Sequence, residues 1–141
     1  MRRELEQKLV EKYPQLFQDY RKDPMYPMYY GIECGDGWYD LIDKTLARIQ
    51  QEIDAYPEKD RNRFKLFQVK EKFGSLRVYM SETVGEMNKA VNDAYTESLV
   101  TCVWCGSQEG VTQNEHSFVR SMCPQCSVEY AKNGWELNGE F

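Results

Sequence analysis

The chain has 141 residues, 41% of them hydrophobic and 13% aromatic. That suits one globular core or a core plus a small module, and it excludes a disordered polymer. The formal net charge of -5 argues against broad electrostatic binding to nucleic acid or to an anionic membrane. No apolar run nears the ~20 residues of a membrane span, and Met1-Arg2-Arg3-Glu4 opens a charged pattern unlike a signal peptide, so a cytoplasmic setting is expected.

Residues 2–20 carry Leu5, Leu9, Tyr13, Leu16, Phe17 and Tyr20 at three- and four-residue steps, the spacing of an amphipathic helix that Pro14 divides. Residues 21–37 read as a long loop, broken by Pro24, Pro27, Gly31, Gly35 and Gly37. Its Met25, Tyr26, Met28, Tyr29 and Tyr30 suit two roles equally: an adaptable binding patch or a cover over the core.

Residues 38–55 predict a helix whose buried face is Trp38, Leu41, Ile42, Leu46, Ile49 and Ile53, with Asp36 as its N-cap. Residues 64–81 predict a hairpin turning at Phe73-Gly74, in which Val69 faces Val78, Phe67 faces Met80 and Lys70 faces Arg77. A third helix is expected over 84–98, entered through a capping box at Thr83-Val84-Gly85-Glu86.

Beyond residue 98 the pattern changes. Leu99–Val103 reads as a short strand, Val111–Gln113 with Ser117–Arg120 as a small hairpin, and Ser127–Asn133 as a helix stopped by Gly134. Within this stretch Cys102-Val-Trp-Cys105 and Cys123-Pro-Gln-Cys126 are separated by seventeen residues. Two Cys-x-x-Cys pairs at that distance match the spacing of a four-thiolate zinc site, and in a reducing compartment such pairs are read as metal ligands before disulfides. The expectation is one structural Zn²⁺ held by Cys102, Cys105, Cys123 and Cys126; a closed set of four protein ligands leaves no position for catalytic water. The fold class expected is α+β: three helices on a small antiparallel sheet (residues 1–98), then a zinc-binding module ending in a treble-clef-like knuckle (99–141).

Outside the cysteines, chemistry-bearing groups are few. His116 is the only histidine, which restricts acid–base schemes; it is read as a surface residue or a neighbour of the zinc ligands. Cys34 is read as a buried structural thiol. Glu33, Asp36 and Asp40 place three carboxylates in eight residues. Across the hairpin, Lys70, Lys72 and Arg77 oppose like charges and require neutralisation. An internal network with Glu33, Asp36 and Asp40 ranks first and a solvated sheet face second. Third is an anionic ligand such as a cyclic nucleotide, with Tyr30 or Trp38 stacking on its base.

Gly31-Ile-Glu-Cys-Gly-Asp-Gly-Trp38, Val69-Lys-Glu-Lys-Phe-Gly-Ser-Leu-Arg77 and the Cys102–Cys126 cluster together resemble a group of small uncharacterised bacteriophage and prophage proteins. The resemblance implies phage origin and action in the cytoplasm of a bacterial host; it brings no activity and no catalytic residues. The function expected is therefore that of a non-enzymatic phage accessory protein that binds and modulates a host protein, an inhibitor of a bacterial defence system being one form of it. The alternatives are sequestration of an anionic nucleotide signal through Lys70, Lys72 and Arg77, and zinc-finger binding of nucleic acid, for which the C-terminal module supplies little beyond Arg120 and Lys132.

Overall fold

A computed structural model describes residues 1–113 and 119–133. Helix α1 (Arg3–Lys12) is followed by turns, helix α2 (Tyr39–Asp54) and helix α3 (Glu86–Ser98), and helix α4 (Pro124–Asn133) closes the described chain. Strands β1 (Ile32–Glu33), β2 (Leu66–Lys72) and β3 (Ser75–Met80) form one sheet in that order; β4 (Thr112–Gln113) and β5 (Ser121–Met122) form a second, two-stranded one. Among the described residues no helix is long and apolar enough to cross a membrane.

Pro14 ends the first helix outright. Its ring cannot continue the hydrogen-bond ladder, so the residues after Lys12 turn instead of forming a second helix. Leu9, Tyr13, Leu16 and Phe17 are nevertheless buried, which is what the apolar spacing required. The Tyr13 hydroxyl donates to Asp43 Oδ1 at 2.6 Å, and burial, reinforced by that carboxylate, pushes its pKa up to about 12.

Helix α2 buries Leu41, Ile42, Leu46, Ile49 and Ile53, as its periodicity predicts, and Thr45 beside them. At about 1.5–3 kcal/mol for each fully buried aliphatic side chain, this face supplies much of the hydrophobic stabilisation. Ion pairs Lys44–Glu97 (2.6 Å) and Arg48–Asp93 (2.9 Å) link α2 to α3, but both are exposed and worth well under ~1 kcal/mol each.

The hairpin forms in nearly the expected register: Val69 pairs with Val78, Lys70 with Arg77, and Phe73-Gly74 makes the two-residue turn. Both turn residues have positive φ (52° and 81°), as a type I′ hairpin requires. One pairing differs. A bulge at Phe67 lets Leu66 take the place opposite Met80, and Phe67 is left half exposed. The sheet is also mixed, because β1 pairs parallel to β2 with Ile32 against Val69 and Glu33 against Lys70.

Two expected caps do not form. Thr83 Oγ1 donates to Asn88 Oδ1 at 2.7 Å instead of capping α3, which starts after Gly85. Asp36 accepts from Arg2 N at 2.9 Å and Arg2 Nε at 2.5 Å, so its carboxylate serves α1 and not α2.

Glu6 is a buried charge of the core. It is 2% exposed, and it accepts from Ile32 N–H (2.8 Å), Tyr20 O–H (2.7 Å) and Arg21 Nη2 (3.3 Å), which ties α1 to the turn after it and to β1. Gly31, at φ 75°, makes room: a Cβ there would lie 2.5 Å from Glu6 Oε1. Glu6→Gln keeps the shape but loses charge and sets an amide against two donors. It is expected to cost about 2 kcal/mol by urea denaturation, with the secondary structure unchanged by circular dichroism.

Candidate metal centre and the surfaces around it

The first cysteine pair sits in a tight knuckle. Gly106 N–H donates to Cys102 O at 2.9 Å and Cys102 N–H donates to Ser107 O at 2.7 Å. Gly106 takes φ 81°, a left-handed conformation that closes the turn without a Cβ clash. The expected strand over Leu99–Val103 is absent; these residues turn, because their backbone groups bond locally and to two separate partners.

The second pair lies at the start of α4, with Cys126 inside its first turn. Ser127 N–H donates to Cys123 O at 2.9 Å, and the Cys126 amide points at Cys123 Sγ from 3.5 Å. Between the pairs, Thr112 faces Met122 and Gln113 faces Ser121, so the small hairpin uses a later return strand than 117–120. Trp104 packs beside Tyr130 with ring centroids 6.3 Å apart, joining the knuckle to α4.

All four sulfurs lie within 4.8 Å of one another, and Cys105 Sγ is 3.7 Å from Cys123 Sγ. Metal–thiolate bonds of ~2.3 Å in a tetrahedron place sulfurs about 3.8 Å apart. The four cysteines therefore fit a metal ion that takes four soft ligands. The thiol pKa values are shifted in both directions. Burial raises Cys126, aided by the Cys102 charge, and burial raises Cys105 against the Ser107 amide. Burial also acts on Cys123, but the Cys126 amide and the neighbouring thiols outweigh it and hold that group below its ordinary value. Four thiols in one small volume cannot all ionise without mutual repulsion; a bound cation offsets that repulsion and displaces their protons.

The Gly35-Asp-Gly-Trp38 stretch forms the seat for this knuckle. Gly37 N–H donates to Val103 O at 2.9 Å, and the Trp38 indole donates to Thr101 O at 2.8 Å from a fully buried position. Val103 N–H in turn donates to Ser121 O at 2.9 Å, so one knuckle residue bridges the seat and β5. A Cβ on Gly35 would meet Val103 O; one on Gly37 would meet Cys102 O and lie 2.6 Å from Gly106 N.

The hairpin turn holds the other side. Ser121 Oγ donates to Gly74 O at 2.5 Å. Glu71 Oε1 accepts the Gly74 N–H at 2.7 Å, while its other oxygen lies 3.6 Å from Nη1 of Arg120, a residue 3% exposed. Ser98 Oγ accepts Leu76 N–H at 2.8 Å. None of these roles was evident from periodicity. Arg120, considered above as a nucleic-acid contact, is sequestered.

The expected network of Glu33, Asp36 and Asp40 with Lys70, Lys72 and Arg77 is not formed. Glu33 accepts from Gln68 Nε2 at 3.3 Å, Asp36 pairs with Arg2, and Asp40 is exposed. Asp36 and Asp40 instead border a cleft of about 470 Å³ shared with Lys44, Trp104 and Cys105. Among the described residues Lys70, Lys72 and Arg77 make no carboxylate pair. Lys72 lies over the Phe73 ring and Arg77 over Tyr95. Of the expected stacking groups, Trp38 is buried and offers no face, whereas Tyr30 is 58% exposed.

Cys34 is fully buried, and that burial lifts its thiol to about 12, the state of an inert core group. His116 lies outside the described residues, as does Gly134. No protein-family model, curated protein or solved structure matches the chain.

Proposed function

We propose that this is a non-catalytic, zinc-containing phage accessory protein that binds and modulates a host protein in the bacterial cytoplasm, a component of a defence system being the target class. The observation that carries the reading is the split of the 25–30 segment. Met28 is 1% exposed and anchors it, while Met25 (85%), Tyr26 (50%) and Tyr30 (58%) stand outward. Met and Tyr so displayed provide adaptable contact area with a polar rim. The phage setting rests on the resemblance of Gly31–Trp38, Val69–Arg77 and Cys102–Cys126.

Zinc is the metal that four thiolates in a tetrahedral set favour, and the order of knuckle, two-stranded hairpin and helix-start pair is that of a treble clef. With four protein ligands such an ion is structural. It holds the module against the 35–38 seat and leaves binding to the surface elsewhere.

Affinity capture from lysate of the infected host tests the proposal, using the wild-type chain beside the Tyr26→Ser/Tyr30→Ser variant. One host protein retained in stoichiometric amount by the wild type and depleted about ten-fold by the variant is expected. Equal retention by both, or none by either, overturns it.

A further inference from the structure

Strand β3 is an edge strand, and one of its sides is open. Leu76 N–H points away from β2, since it is held by Ser98 Oγ, while Ser81 N–H points inward to Lys65 O. With a period of two, Val78 and Met80 also direct N–H and C=O outward. Among the described residues neither outward group has a partner. Beside this edge runs a groove of about 230 Å³ between β3 and α3, lined by Arg77, Val78, Tyr79, Val91, Asn92 and Tyr95.

We infer that this groove is a strand-addition site for an extended segment of a partner protein in which apolar and acidic residues alternate. An unpaired strand edge is a template for another backbone, and main-chain bonds to Val78 and Met80 would supply register. Side chains opposite Val78 would fall on the core side of the sheet beside Val91, where an apolar group is required. Those flanking it would rise beside Arg77. That guanidinium stacks on Tyr95 at 4.9 Å, its Nε is held by Ser75 Oγ at 3.0 Å, and no carboxylate pairs with it among the described residues. A pre-oriented arginine with open donors selects a carboxylate. Tyr79 and Tyr95, each 39% exposed, flank it with flat contact area.

The inference adds a second contact surface to the partner-binding reading and rests on it only for the partner's being a protein. The test uses the ¹⁵N-labelled full chain and the peptide acetyl-Glu-Val-Glu-Val-Glu-amide, followed by heteronuclear NMR. Shifts and slowed exchange at the Val78 and Met80 amides are expected, with no response to the Lys-for-Glu peptide. Arg77→Glu should weaken the acidic peptide by about ten-fold and admit the basic one. Met80→Pro removes one outward donor at an edge position where proline is tolerated, and should abolish the slowed exchange at Val78. Absence of binding, or shifts confined to the 25–30 segment, overturns the inference and leaves the capture experiment standing. So does a concentration-dependent dimer in sedimentation that Met80→Pro dissolves, since the occupant would then be a second copy of this chain.

Discussion

Chelating the metal from reduced protein at neutral pH is expected to unfold residues 99–133 and to loosen the Gly35–Trp38 seat, while α2 and the hairpin stay folded. Among the described residues few regular elements hold the C-terminal module: β4 and β5 are two residues each, and α4 is its one helix. So small an element cannot bury enough apolar surface to offset its chain entropy. Structural zinc binding contributes on the order of 10–16 kcal/mol in comparable small modules, most of it spent on folding the ligand-bearing chain. The docking bonds from Gly37 to Val103 and from Trp38 to Thr101 are too few to replace that. Their loss should make the Gly37 amide and the Trp38 indole exchange with solvent. Hydrogen exchange before and after chelation, with metal content measured in parallel, reads the result. One equivalent of zinc and loss of protection over 99–133 are expected; unchanged protection in metal-free protein contradicts it. Cys123→Ser should reproduce the chelated state, because a hydroxyl is a poor substitute for thiolate on zinc.

Gly37→Ala is expected to destabilise by at least about 3 kcal/mol and to weaken metal retention as well. The new Cβ would meet Cys102 O and lie 2.6 Å from Gly106 N and 2.8 Å from Cys105 N. All three are backbone atoms of the knuckle, so no side-chain rotation relieves the clash. The knuckle must lift, and the Gly37–Val103 hydrogen bond goes with it. Gly85→Ala is the control. Its site is open, with nothing within 4 Å, and only its backbone, at φ 46° and ψ -118°, opposes a side chain; a loss of about 1–3 kcal/mol with metal retention unchanged is expected. Urea denaturation and a chelator competition compare the two. Equal behaviour of the variants would mean that the 35–38 segment does not seat the knuckle.

These two experiments bear on residues that looked different in sequence. The Gly-Asp-Gly stretch, rich in carboxylates, suggested a polar network or a ligand loop. Its glycines prove to be contact surface: each lacks a side chain because a carbonyl of the knuckle occupies that space. The expected cations of the hairpin meet a similar outcome. Glu71, not Lys70 or Arg77, pairs with a buried cation, because it lies on the same face of the strand as Val69, two residues earlier, and so meets Arg120. Glu6 gave no signal at all, since a single Glu within a helical stripe looks like surface until Gly31 and Tyr20 are brought to it.

What the amino-acid order determined alone was whatever is encoded over a few residues. The spacing of two Cys-x-x-Cys pairs marks the four cysteines that the fold gathers within 4.8 Å of one another, Leu41 to Ile53 mark the buried face of α2, and Phe73-Gly74 marks the turn from which the register of Val69 and Val78 follows. Each depends on a local period or a local backbone requirement. What only the tertiary structure decided was which of these surfaces meet. Trp38 belongs to the knuckle, Asp36 to Arg2, Ser98 to the strand edge and Ser121 to the hairpin turn. Such pairings join residues far apart in the chain, and they are set by shape and hydrogen-bond satisfaction between finished elements, for which a linear pattern carries no period.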